Sequence, residues 1–208
     1  MKNLIFGVMA VTAFTFAACN SNSEKKIDDH QNMETMENVE HQTADGNTNI
    51  TEIKASFTDV DPKVASSIKQ IVDHYIHVKT ALSNDDDKEA ASGGEAMVAA
   101  MNQLDKSVLT AEQAALYNQN EADLKEHAEH IGENVGNIKH QREHFIMMSE
   151  DVYALVKGFG AGRTLYNAHC PMAKDNEGAM WLSEANEIKN PYFGSKMLKC
   201  GSVKEVIN

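Results

Sequence analysis

The chain has 208 residues, a formal net charge of −12, 42% hydrophobic residues and 6% aromatic residues. One buried core fits that length, and two full-sized domains do not. The acidic balance excludes non-specific binding to nucleic acid or anionic lipid, which needs clustered Lys and Arg, and leaves cations as the small partners to expect.

Residues 1–18 read as an export signal: Lys2 gives a basic start, residues 4–16 are an apolar run, and Ala17 and Ala18 precede Cys19. The run is shorter than the roughly 20 residues a membrane-spanning helix needs. Two small residues before a cysteine resemble the lipobox of bacterial lipoproteins. Cys19 is therefore expected to be acylated and to become the mature N-terminus. That places the protein in the cell envelope, lipid-anchored to the outer membrane and facing the periplasm, with the lipid as its only membrane contact. Residues 19–57 are polar, charged and aperiodic, the composition of a tether that does not order itself. Met33, Met36, His30 and His41 within it are spaced to hold a soft cation loosely, although the composition predicts a solvated linker.

The domain proper is expected over residues 58–208. Asp61 and Pro62 open a first helix, in which Val64, Ile68, Ile71, Tyr75, Val78 and Leu82 recur at helical spacing. After the acidic turn "SNDDD", Ala90, Gly94, Met97, Met101 and Leu104 repeat the pattern, while Gly93 and Gly94 either weaken this helix or permit a close neighbour. Thr110 and Gln113 form a capping box for a third helix with its stripe at Tyr117, Leu124, Ala128 and Ile131. A fourth carries Ile138, Phe145, Met148, Val152, Leu155 and Phe159 and ends in the glycines near 160. Short connections predict an all-α fold, an up-and-down four-helix bundle. The remainder has turn residues and no long periodicity, so an irregular Cys/Met-containing segment is expected, packed on the bundle through Trp181, Tyr192 and Phe193.

Ligand-type residues fall into two groups. Cys170 with Met172, and Met197 with Cys200, put a thiolate and a thioether at each end of the C-terminal segment, with His169 adjacent. If the ends meet, four sulfurs select Cu(I) over zinc, calcium or magnesium. The competing reading is a Cys170–Cys200 disulfide, which in an exported protein would stabilise the domain by roughly 3–4 kcal/mol in the chain-entropy model. In the second group, His140, His144 and Met147 share one helical face, and His127 with His130 and His74 with His77 are i, i+3 pairs. Exposed histidines are common on helices, so the expectation rests mainly on His144 and Met147. No motif with a catalytic mechanism is present, neither a nucleophile elbow, a phosphate loop, a zinc-protease helix nor a haem attachment site, and no enzyme is expected.

"QREHF" at 141–145, "CPMA" at 170–173, "GAMWLS" at 178–183, "NPYFG" at 190–194 and "MLKCG" at 197–201 together resemble the domain of unknown function 3347 family. The resemblance extends over about residues 64–206. It implies a module found alone in Bacteroidetes-type lipoproteins or attached to periplasmic adaptors of copper and silver efflux systems, and hence heavy-metal handling outside the cytoplasm. "CPM" is also similar to the core of small heavy-metal-binding domains, with Ala173 where those carry histidine. The function expected is an envelope lipoprotein that binds a soft ion, foremost Cu(I), for buffering or delivery to an efflux adaptor. The alternative is a disulfide-stapled module that docks on such a partner without metal.

Overall fold

The computed structural model describes residues 50–208. The export signal, Cys19 and most of the expected tether lie outside the described residues. Four long helices, α1 (Pro62–Ser83), α2 (Asp87–Met101), α3 (Ala111–Glu133) and α4 (Ile138–Phe159), run in sequence, with a 3-10 turn at Lys106–Val108. Each start is capped by the side chain just before it. Asp61 accepts from the Lys63 N–H at 2.8 Å, Asp86 from Glu89 at 3.0 Å, and Asn137 from His140 at 3.3 Å. Thr110 and Gln113 close both bonds of their capping box. Such caps satisfy amide groups that the first turn leaves without partners.

The apolar stripes face inward as their spacing requires: Ile71, Tyr75, Met97, Tyr117, Leu124, Phe145 and Met148 are all fully buried. The paired glycines of α2 serve close packing. A Cβ on Gly93 would lie 2.7 Å from Val78 Cγ2, and one on Gly94 would lie 2.6 Å from the Ala128 carbonyl oxygen, so α2 is wedged between α1 and α3.

The all-α expectation needs correction, because the helices share the core with a four-stranded mixed sheet. Its strands are β1 (Thr51–Ile53), β2 (Leu165–Cys170), β3 (Ala179–Ser183) and β4 (Ser202–Ile207), in the order β1-β4-β2-β3. β1 runs parallel to β4, and the other pairs are antiparallel. The segment expected to be irregular is thus mostly sheet and turns. Part of the expected tether is also structured: β1 lies within it, and the amides of Ser56 and Phe57 donate to the carbonyls of Lys157 and Gly158 at 2.9 Å. The Phe57 and Phe159 rings meet at 5.0 Å, tilted by 60°.

Trp181, Tyr192 and Phe193 anchor the C-terminal part as expected, Trp181 being fully buried. The motif at 190–194 has a structural explanation. The buried Asn190 donates to the Cys200 carbonyl at 2.8 Å and accepts from the amides of Tyr192 and Phe193. Gly194 has φ +54, and a Cβ there would collide with Asp85. Asp85 in turn accepts from the Ser195 amide at 3.0 Å and from Arg142 at 2.6 Å, and hydrogen bonding by the Ser195 side chain, then by Arg142 and the Ser195 amide, holds its carboxyl down at about 2.

The sheet is joined to the helices by a buried relay. The Leu182 amide of β3 donates to the Tyr75 hydroxyl at 2.9 Å, that hydroxyl donates to Ser149 Oγ at 2.9 Å, and Ser149 donates to the Phe145 carbonyl at 2.7 Å. Tyr75→Phe would leave the Leu182 amide without an acceptor, and a buried orphan of this kind costs about 1–3 kcal/mol. Urea unfolding should show that loss with an unchanged m-value; an unaltered midpoint would show that the relay contributes nothing net.

Candidate metal centre

The connection between α3 and α4 is short, so the two helices form an antiparallel hairpin and residues at equal distances from the turn face one another. Histidines lie at such positions on both sides. His127 Nδ1 is 3.1 Å from His144 Nδ1. The His130 and His144 rings stack with centroids 4.3 Å apart and planes 2° from parallel, and His140 meets His144 edge-on at 4.5 Å. One ligand atom from each of His130, His140 and His144 lies within 4.8 Å of the others.

Nitrogens bound at about 2.0–2.1 Å to one tetrahedral ion sit roughly 3.3 Å apart, so modest side-chain rotation would bring the three onto a common centre. The contact with His127 engages Nδ1 of His144 and leaves its Nε2 available as a ligand. Glu143 Oε2 lies 3.5 Å from His140 Nδ1, and Glu126 Oε1 lies 3.9 Å from His130 Nε2. Carboxylates in such positions orient metal-bound imidazoles and raise their basicity.

Electrostatics favour neutral rings at His144 and His127. Burial, reinforced by His130, His140 and His127, pushes the His144 imidazolium down to about 4. Burial also lowers His127. Met147, one turn beyond His144 on α4, is 40% exposed. Asp151 lies a further turn along, its carboxyl raised to about 7 by burial and by the charges of Asp123 and Glu150. Imidazole, thioether and carboxylate donors therefore follow one another along a single helix face.

The sulfur group is arranged differently. Cys170, at the end of β2 and fully buried, and the half-buried Cys200 bring their Sγ atoms within 2.7 Å of each other. Hydrogen bonding to Cys170, with burial, raises the Cys200 thiol to about 11. The two ends of the C-terminal segment thus come together. Met172, however, is 46% exposed and lines a surface groove together with Met147. Met197 follows the 3-10 turn Gly194–Lys196 and is half-buried. His169 stands opposite Met180 in the β2–β3 pair, its ring close enough to Gly178 that a Cβ there would lie 2.5 Å from Nε2. Of the helix-one pair, His77 bonds Glu89 at 2.9 Å, and burial lowers His74.

Among the expected site residues, His144 lies at the centre of the cluster and Met147 at its border. His127, His130 and His140 are partners whose importance the individual helices understate. Their signal in the sequence is symmetry about the turn: 127 with 144, and 130 with the neighbourhood of 140, lie at matching distances from it.

Residues 71–164 match the model of a family described as protein of unknown function (DUF3347). No curated protein and no solved structure matches the chain. The match takes in most of α1, all of α2 to α4 and all four clustered histidines, and it stops before β2. The Cys-containing motifs that prompted the resemblance lie beyond it.

Because His144 carries a depressed pKa in the folded state, the unfolded chain binds more protons at intermediate pH. Stability contributed by the neutral ring is complete above the ordinary value of 6.5 and is lost as pH falls towards about 4. His144→Gln should flatten this part of the stability profile measured by denaturant titration. In the His130→Gln, His140→Gln variant, NMR titration should find the His144 pKa raised, yet still below the ordinary value because burial persists.

Proposed function

We propose that this protein is a cell-envelope lipoprotein that binds a transition-metal ion through the imidazoles of His130, His140 and His144, to buffer it or deliver it to an efflux system. The observation carrying this reading is the convergence of those rings, with His127 behind them, across the α3–α4 hairpin. Imidazole ligands suit copper, zinc and nickel, and the neighbouring thioether of Met147 favours Cu(I) among them. Copper and the efflux adaptor follow from the resemblance and from soft-ligand chemistry, and membrane attachment follows from the lipobox at Cys19. The reading involves no reaction.

Affinity measured anaerobically for Cu(I), and aerobically for Cu(II) and Zn(II), against a chromophoric competitor tests the assignment. His130→Ala with His140→Ala should weaken binding of the native ion at least a hundredfold, about 2.7 kcal/mol. Cys170→Ser with Cys200→Ser should leave it within about threefold. The opposite outcome would move the site to the sulfurs. For the anchor, Cys19→Ala should shift the protein from the membrane pellet to the soluble fraction, because acyl chains are what make lipid anchoring stable.

The contact of Cys170 with Cys200 favours a second reading, a disulfide-stapled docking module without metal. It requires both cysteines to be oxidised in protein isolated from the envelope, which alkylation and intact-mass measurement would report.

A further inference from the structure

On the side of α4 next to the imidazole cluster lies a groove of about 820 Å³. Ile138, Ile146 and Met147 of α4 form one wall, and Met172 and Phe193 face them from the C-terminal part. Met147 and Met172 are 40% and 46% exposed, placing two of the large exposed apolar side chains of the domain in one concavity. Methionine side chains are flexible and polarisable, and surfaces rich in them adapt to apolar partners. The rim has the opposite electrostatic character to the rest of the molecule. Lys139, Arg142, Lys174 and Lys196 line the groove against only Glu143 and Asp175, in a chain whose net charge is −12. Arg142 is committed to Asp85, but Lys139 is 88% exposed and reaches Glu143 only at 3.5 Å, and Lys174 reaches the exposed Glu177 only at 3.5 Å. One edge is an unusual turn: Lys174, Asp175 and Asn176 all have positive φ, at 53°, 53° and 72°, a conformation that non-glycine residues rarely adopt in succession. That turn sets Lys174 and its neighbours along the groove beside Met172.

We infer that this groove docks an amphipathic peptide segment of a partner protein, with its apolar face against Met147, Met172 and Phe193 and acidic side chains meeting Lys139, Lys174 and Lys196. Charge complementarity selects this occupant. A membrane surface fits less well: the site is concave, Glu143 and Asp175 interrupt its cations, and the overall charge repels anionic bilayers. Apolar anchors in a pocket with charged flanks are the usual form of helix-in-groove recognition. The inference stands whether or not the imidazoles hold metal. If they do, the docked segment would lie beside Met147, one helical turn from His144.

The test uses a synthetic amphipathic peptide with Leu and Met on one face and Glu on the other, and its counterpart with Lys for every Glu. Both are labelled and titrated with the soluble domain, with and without a metal chelator. Saturable binding of the Glu peptide is expected, at least tenfold tighter than that of the Lys peptide, weakening with salt and unaffected by the chelator. Lys139→Glu with Lys196→Glu should weaken it at least tenfold while the thermal midpoint and metal affinity stay unchanged. Amide shifts on peptide addition should cluster at Ile138, Ile146, Met172 and Phe193. Equal affinity for the two peptides, no saturation at millimolar concentration, or shifts elsewhere would overturn the inference. So would tighter binding to phosphatidylglycerol vesicles, or self-association of the domain through these residues in light scattering.

Discussion

The Tyr75 hydroxyl is the point on which the architecture turns. A sheet can share a core with a helical bundle only if its inward backbone groups find partners, because a buried amide without one costs as much as a good core contact provides. Tyr75 supplies that partner from the middle of α1. It accepts from β3, donates to Ser149, and so fixes α1, α4 and β3 in one register. Its ring meanwhile stacks on Phe145 at 5.0 Å with planes 18° apart, so one residue provides both apolar area and polar satisfaction. Tyr192 and Trp181 then pack edge to face at 5.8 Å, extending the same aromatic layer under the C-terminal strands.

Fixing α4 in this way has consequences on its other faces. With Phe145 and Ser149 held inward, His140 and His144 are presented to α3, Ile138, Arg142 and Ile146 to the C-terminal segment, and Met147 to the groove. Arg142 uses its position fully, donating to the carbonyls of Leu82 and Pro191 at 2.8 Å and pairing with Asp85 at 2.6 Å. A planar guanidinium with several donors can tie three segments together where a lysine would satisfy one. The same helix therefore organises the core, the imidazole cluster and the groove. This explains how candidate binding surfaces come to adjoin without sharing ligands beyond Met147.

The imidazole cluster is held without requiring a metal. A stacked pair of rings, a ring-to-ring hydrogen bond and nearby carboxylates make it self-consistent, and burial, reinforced by the neighbouring imidazoles, opposes protonation of His144. At His144 the competing proton is already displaced near neutral pH, so this ring can take an ion without releasing one. The Cys170–Cys200 contact is chemically separate: buried, and with Cys200 raised to about 11, it favours thiol over thiolate near neutral pH. Thiolates are the stronger metal ligands, so this environment works against the sulfur pair as an ion site.

The helices were legible in the sequence because everything that defines them is local. Asp61, Thr110 and Gln113 lie within a turn of the bonds they make, and the stripes through Tyr75, Met97, Leu124 and Phe145 repeat at the helical period. Trp181 and Tyr192 as anchors, and the approach of Cys170 to Cys200, also followed from residue chemistry alone. The sheet did not. Its strands are three to six residues long, β2 carries a buried Asn167 bonded to Glu205 where alternation would call for an apolar side chain, and β1 lies more than a hundred residues from its partner β4. Strand pairing is a relation between distant segments, and no single segment records it. The same distinction divides the histidines. Helical spacing placed His140, His144 and Met147 on one face, but only the folded hairpin brought His130 and His127 against them. The distance between two helices is set by the packing of the whole core, so the sequence determined the helices and their ligand-bearing faces, and the tertiary structure decided which of those faces meet.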